Sequence, residues 1–304
     1  LFIHSQTLLV ILLRLIDVGL FAWGIVLFRR VMLRVGLSRG LANICLLLFV
    51  LIPVVPVLAA QVNYDDLLFP LTGWICLQAF DLTDQVKAKK PRVKTIFKLA
   101  ITAGLACLVK YAFLPIVLAV VVYFAVISYR VYRPHFTDLW RQLKKDFLRQ
   151  RRFVQVALPL LLLLAIGMFG QRAGYNLVKY HSFVPDCSTV LNIQECSAYS
   201  PWYTDYTRHI QLVNGQSVIT DNIVSYTGQW FYWMWYRLFF AVNGLSSHFA
   251  NYPPLILPAR AAEIIAVAGG AALVLWRKRV FRDNPYMLLL LTVTLIYVVA
   301  LFAK

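Results

Sequence analysis

Acid is scarce in this chain: 13 Asp and Glu stand against 30 Lys and Arg, and the net charge over 304 residues is +17. Polar composition is scarce too. The hydrophobic share is 61% and the mean hydropathy is +0.70, whereas soluble domains run at roughly 45–50% apolar. An ordinary soluble domain is therefore excluded. The surplus of basic residues would suit nucleic acid if it formed one face, but it falls into short segments between apolar runs, as in the cytoplasmic loops of a membrane protein. No nucleic-acid partner is expected. There is no P-loop, no Gly-x-Gly-x-x-Gly after a strand and no His-Glu-x-x-His, so ATP-driven transport and zinc proteolysis lack support. Pro- or Gly-rich linkers and short-period repeats are missing as well, which leaves residues 1–304 as a single transmembrane domain. The chain opens on Leu1 without an initiator Met or signal peptide and ends within an apolar run, the pattern expected of an internal fragment.

What is present is a series of apolar runs alternating with basic connections. The expected fold is an all-α polytopic membrane protein of about eight transmembrane helices, with an extracytoplasmic loop and juxtamembrane helices, placed in the cell membrane with the lipid bilayer as its first partner. Thr7–Phe28 is long enough to cross a hydrocarbon core of roughly 30 Å. Arg14 and Asp17 lie on one helical face within it, as an intramembrane ion pair or as the lining of a polar cavity. Arg29, Arg30, Arg34 and Arg39 mark the next connection as cytoplasmic. Leu41–Ala60 returns outward, bent by Pro53 and Pro56, and Leu67–Leu82 goes back in to meet Lys87, Lys89, Lys90, Arg92, Lys94 and Lys98. Phe97–Tyr129 is long for one span and short for two; loop charge favours two short helices broken near Tyr111–Pro115, with Lys110 near the outer surface. Residues 135–152 read as a cytoplasmic amphipathic helix on the membrane. Leu139, Trp140, Leu143 and Phe147 recur at helical spacing, and Arg141, Lys144, Lys145 and Arg149 face lipid phosphates.

Phe153–Phe169 crosses outward into a polar segment, 171–228, the expected extracytoplasmic loop. Cys187 and Cys196 there suit a disulfide in an oxidising compartment; a metal pair is the weaker alternative, since no second close pair supplies four ligands. Trp230–Phe240, dense in aromatic rings, suits the headgroup level, as an anchor or as a wall guiding a lipid-linked substrate. Pro254–Trp276 and Met287–Lys304 complete the spans.

The polar groups expected on the outer side are Asp65, Asp66, Lys110, Tyr111, Arg237, Arg260 and Glu263. A carboxylate at the membrane surface can serve as general base or bind a divalent metal ion, and Lys or Arg at that depth can clamp a lipid phosphate. Interfacial Asp and Lys also serve as helix ends, and Arg260 with Glu263 as an i, i+3 pair, so these residues allow more than one role.

The Asn-Tyr-Asp-Asp-Leu-Leu-Phe motif at 63–69, opening an inward span, Leu-Val-Lys-Tyr-Ala-Phe-Leu-Pro at 108–115, the aromatic juxtamembrane helix and the outer loop together resemble the GT-C superfamily of polytopic glycosyltransferases, and within it the bacterial DUF2142-type membrane proteins. The resemblance covers roughly residues 1–130. It implies a transferase that moves a sugar from a polyprenyl-phosphate donor to an extracytoplasmic cell-envelope acceptor. It also implies that the catalytic base lies upstream of Leu1, that Asp65 and Asp66 occupy a supporting or metal-proximal position, and that Lys110, with the adjoining Tyr111, lies at the phosphate. A transporter or lipid flippase working through Arg14 and Asp17, and a non-catalytic envelope assembly protein using the 171–228 loop, are the competing readings.

Overall fold

The computed structural model describes residues 6–52, 54–133, 136–185, 187–192 and 283–302, together with 195, 196 and isolated positions between 210 and 275. Every regular element among them is helical. α1 is Gln6–Val35, α2 Arg39–Val50, α3 Val54–Ala59, α4 Leu68–Lys87, α5 Val93–Val109, α6 Leu114–Tyr132, α7 Phe136–Arg149, α8 Arg152–Tyr180, α9 Cys187–Val190 and α10 Pro285–Phe302. α1, Arg152–Tyr180 and Tyr111–Tyr132 are long and apolar enough to cross a membrane, and Arg39–Val50 and Pro285–Ala300 are shorter apolar helices. α1 runs past the expected end of the first span, so Arg29, Arg30 and Arg34 occupy its last turns. The chain divides into two compact units, residues 1–169 with 272–304, and residues 170–271.

Local sequence explains the corners of the first unit. Gly36 leaves α1 at φ +107°, a conformation open to glycine. The Leu37 N–H donates to Met32 O and the Gly36 N–H to Leu33 O, each at 3.1 Å, the paired bonds of a Schellman stop. Ser38 then caps α2, its hydroxyl accepting the Leu41 N–H at 3.3 Å. Gly36-Leu37-Ser38-Arg39-Gly40 has the Gly-x-Ser-x-Gly spacing of a hydrolase nucleophile elbow, contrary to the expectation that the chain lacks this motif. Here the serine sits in a helix–helix corner as a cap, and among the described residues no strand leads into it, so the match carries no hydrolase chemistry. α4 stops through Lys89 at φ +53°, with Lys89 N–H to Val86 O at 3.0 Å and Lys90 N–H to Gln85 O at 2.8 Å.

α1 and α4 run parallel and touch closely. A Cβ on Gly73 would lie 2.9 Å from Leu27 Cβ, and one on Gly24 would meet the Phe69 ring; small residues let the backbones approach in this way. Phe21, Phe28 and Phe49 all stack on Phe69, with ring centroids 4.7–5.6 Å apart. α5 returns antiparallel, tied by Gln78 Nε2 donating to Thr102 Oγ1 at 3.3 Å and Gln85 Nε2 to Thr95 Oγ1 at 3.0 Å. The break between α5 and α6 falls at Lys110 and the 3₁₀ turn Tyr111–Phe113, where Pro115 in the first turn of α6 cannot extend α5. Phe80, Ile75 and Leu289 are buried at the centre of the unit.

One end of the unit gathers the basic corners. Arg34 Nη2 donates to Asp84 Oδ2 at 2.5 Å and Asp81 Oδ1 at 3.2 Å. The Tyr286 hydroxyl donates to the other oxygen of Asp84, Asn284 Nδ2 donates to Val35 O at 2.9 Å, and the Tyr123 hydroxyl donates to Pro285 O at 3.0 Å. α1, α4, α6 and α10 are thereby clasped at that end. α7 closes beneath α5 and α6, with Asp146 Oδ2 accepting the Val93 N–H at 2.9 Å and Phe147 stacked on Phe97 at 6.4 Å. Leu139, Leu143 and Phe147 are half-buried against the bundle while Trp140 is 71% exposed, so the apolar residues expected on one membrane-facing side are split between two faces.

Candidate functional site

The opposite end holds Asp17, Asp65 and Asp66. Asn63, in extended backbone, opens the 3₁₀ turn Tyr64–Leu67: its Oδ1 accepts the Asp65 N–H at 3.0 Å and its carbonyl the Asp66 N–H at 3.2 Å. An Asn two residues ahead of the residue whose N–H it accepts is the common helix-cap arrangement. The turn runs straight into α4, so Asp65 and Asp66 sit beside the free N–H groups of a helix start, where negative charge is favoured. The Asn63 N–H in turn donates to Asp17 Oδ2 at 3.3 Å, which brings an acid from α1 to the same place.

Lys110 joins from a position 45 residues away. It ends α5 in extended backbone, and its ammonium donates to Asp65 Oδ2 as an ion pair. Tyr111 follows directly, its ring edge-on to Phe169 at 5.8 Å. Two carboxylate oxygens, Asp65 Oδ1 and Asp66 Oδ2, are buried without a hydrogen-bond partner. Asp17 and Asp66 are each only 8% exposed. Burial above all, then the nearby Asp17 carboxylate and then Asp65, pushes the Asp66 carboxyl up to about 6, because removal from water and like charge both penalise the ionised form.

An acid of that strength can take or give a proton near neutral pH, as a general base or acid must. Asp17 and Asp65 both lie near enough to act on Asp66, and Lys110 pairs with Asp65, so the group is richer in carboxylates than in cations and suits a proton or a bound cation. Among the described residues no three His, Cys, Asp or Glu are arranged to hold a metal ion.

Asp65, Asp66 and Lys110 are thus brought together, and Tyr111 lies beside them. Asp17 does not pair with Arg14 as expected of a shared helical face. Three residues of α-helix leave a rotation of about 60° between the two side chains, so Asp17 turns into the bundle towards Asn63 while Arg14 stays exposed. Arg237, Arg260 and Glu263 lie outside the described residues, as does the aromatic stretch beyond Phe231. Cys187 and Cys196 form a disulfide with Cα atoms 5.8 Å apart. In the same unit the polar segment begins as helix, because α8 continues to Tyr180. Sequence reasoning missed Asn63 as the linking residue; the signal for it was a capping side chain just ahead of adjacent acids. Asp17 as a member of the acidic group was missed too, and its signal was an ionisable residue inside an apolar span. Comparison with protein-family models, with curated proteins and with solved structures finds no match for this chain.

Proposed function

We propose that this chain is a multi-pass membrane glycosyltransferase of the GT-C type, similar to the DUF2142-type proteins, crossing the bilayer about eight times and transferring a sugar from a polyprenyl-phosphate donor to an extracytoplasmic acceptor of a bacterial envelope. The observation that carries it is the Lys110–Asp65 ion pair beside the buried Asp66, at the end of the helices remote from the basic corners. The basic corners are then cytoplasmic, and the acids and the 171–228 loop extracytoplasmic. Asp66 is the proton-handling group, and Lys110 holds Asp65 in place and presents positive charge to a phosphate. A divalent ion at Asp65 and Asp66 would draw further oxygen ligands from the bound phosphate. Arg237 and Arg260 contribute to the donor site in this reading.

The test is sugar transfer by the full-length protein in vesicles with a labelled polyprenyl-phosphate donor. Replacing Asp65 and Asp66 together by Asn cuts transfer at unchanged abundance; full activity in that double variant removes them from the mechanism. Sidedness is checked separately by single cysteines at positions 90 and 215 in intact cells: an impermeant thiol probe labels 215 and spares 90.

A transporter is the second reading, favoured by one observation, the approach of Asp17 from within a span to Asn63 and Asp66. In that case Asp17→Asn abolishes proton-coupled uptake by a protein that shows no sugar transfer.

A further inference from the structure

The first unit contains a crevice of about 480 Å³ between α4, α5, α6, α7 and α8. Its lining is apolar almost throughout, Ser128 being the exception, and Ala100, Ala103 and Gly104 keep its floor shallow in side chain. Along α6 it extends from Leu114 to Ser128, roughly 21 Å at the helical rise, which is more than the half-thickness of a hydrocarbon core of about 30 Å. An elongated apolar crevice of that length in a helix bundle fits a hydrocarbon chain.

The charges at its two ends decide which chain. At the upper end the ammonium of Lys110 is engaged by Asp65, with the buried Asp66 and Asp17 beside it, and that end belongs to the candidate transfer site. Towards the lower end the crevice is lined by Leu139 and Leu143 of α7. Their helix exposes Arg141, Lys144, Lys145 and Arg149, followed at once by Arg151 and Arg152. Its two acids are occupied: Asp138 faces Arg141 at 3.6 Å and Asp146 accepts the Val93 N–H at 2.9 Å. Trp140 and Leu148, 71% and 64% exposed, lie on the same outward side as these cations, a pairing of amphipathic ring and positive charge that suits the headgroup level of a membrane.

We propose that α7 and the crevice form a binding site for an anionic phospholipid of the leaflet that faces the basic corners, one acyl chain lying in the crevice and the headgroup phosphate held by Lys144, Lys145 and Arg149. Its headgroup part lies at the opposite end of the unit from the candidate transfer site, and the proposal rests only on the reading of the chain as membrane-spanning. It makes α7 the element through which the composition of that leaflet reaches α5, because Asp146 accepts the Val93 N–H and Phe147 stacks on Phe97.

The experiment uses the purified full-length protein in neutral detergent and reads lipid affinity from the thermal-unfolding shift on titration with phosphatidylglycerol, phosphatidylcholine or a polyprenyl phosphate. Phosphatidylglycerol is expected to bind at least about tenfold more tightly than phosphatidylcholine, since each surface cation near an anionic headgroup contributes about fivefold and three are engaged. The quadruple variant Arg141→Gln, Lys144→Gln, Lys145→Gln, Arg149→Gln alters only exposed side chains and loses that preference. Ala100→Phe fills the crevice and weakens both phospholipids while the charges remain. Equal binding of the two phospholipids, or a phosphatidylglycerol preference that survives the quadruple variant, overturns the proposal. So does displacement of phosphatidylglycerol by polyprenyl phosphate in a manner abolished by Lys110→Met, which assigns the crevice to the sugar donor. Loss of transfer activity in the Asp65 and Asp66 variants leaves this result unmoved, and release of the protein from membranes by alkaline carbonate overturns the spanning reading and the lipid site together.

Discussion

Replacing Asp66 by Asn is expected to make the protein more stable above pH 6 and less active. The Asp66 carboxyl rises from an ordinary 3.8 to about 6, a change of about two units, or about 3 kcal/mol between its two protonation states. The direction of the shift fixes the sign. A group whose pKa is higher in the folded chain contributes its stability fully below pH 3.8, and that contribution is lost as pH rises through about 6. At pH 8 the ionised Asp66 thus costs the fold up to about 3 kcal/mol, with about 1 kcal/mol as a lower bound where water reaches the turn. Asn keeps the size of the side chain and removes the charge. For a unit the size of residues 1–169 with 272–304 1 kcal/mol moves Tm by roughly 2–4 °C, so Asp66→Asn raises Tm at pH 8 by several degrees, has little effect at pH 4.5, and flattens the decline of wild-type stability between those values. The assay is thermal unfolding in detergent across pH 4.5–8 on both proteins. A wild-type Tm that does not fall between pH 5 and 7, or an Asn variant less stable than wild type at pH 8, refutes the reasoning.

Gly73→Leu should be among the most damaging single changes in the first unit, because even a Cβ there would lie 2.9 Å from Leu27 Cβ on the facing helix; overpacking of this kind costs about 1–3 kcal/mol or more, read as loss of folded protein by size-exclusion after solubilisation. Lys110→Met leaves Asp65 without its cation. Since both partners are partly exposed, the stability loss stays near about 1 kcal/mol, and a double-mutant cycle with Asp65→Asn should return that coupling. Replacing Cys187 and Cys196 by Ser opens a loop of sequence separation 9 and costs about 2.5 kcal/mol in the chain-entropy account; in the intact protein both thiols should react with maleimide only after reduction. Lys89→Gly relieves a side chain held at φ +53° and should raise stability by up to about 1 kcal/mol, measured as a higher midpoint of thermal unfolding.

The helices and their breaks were written locally. Hydropathy marked α1, α6 and α8, and the Tyr111–Pro115 region marked the break after α5, because each of these depends on residues close together in the chain; the basic residues expected in connections lie partly inside helices, Arg29, Arg30 and Arg34 in α1 and Lys94 and Lys98 in α5. The amphipathic α7 was legible as a helix, but which of its apolar residues would face the bundle was not: Leu139, Trp140, Leu143 and Phe147 fit one stripe by spacing, and only the positions of α5 and α6 divide them. The acids were legible one at a time. Asp65 and Asp66 stood out as an adjacent pair and Lys110 as a cation at a helix end, yet no periodicity joins residues 45 apart, and Asp17 shared a face with Arg14 on paper while the packing of α1 on α4 turned it to Asn63. The amino-acid order determines the helices, their caps and the distribution of charge, since those follow from backbone propensity and solvation along a few turns. The tertiary structure alone decided that three carboxylates and one ammonium meet at a single end, because the energy of that meeting depends on burial and on distances that exist only once the helices have packed.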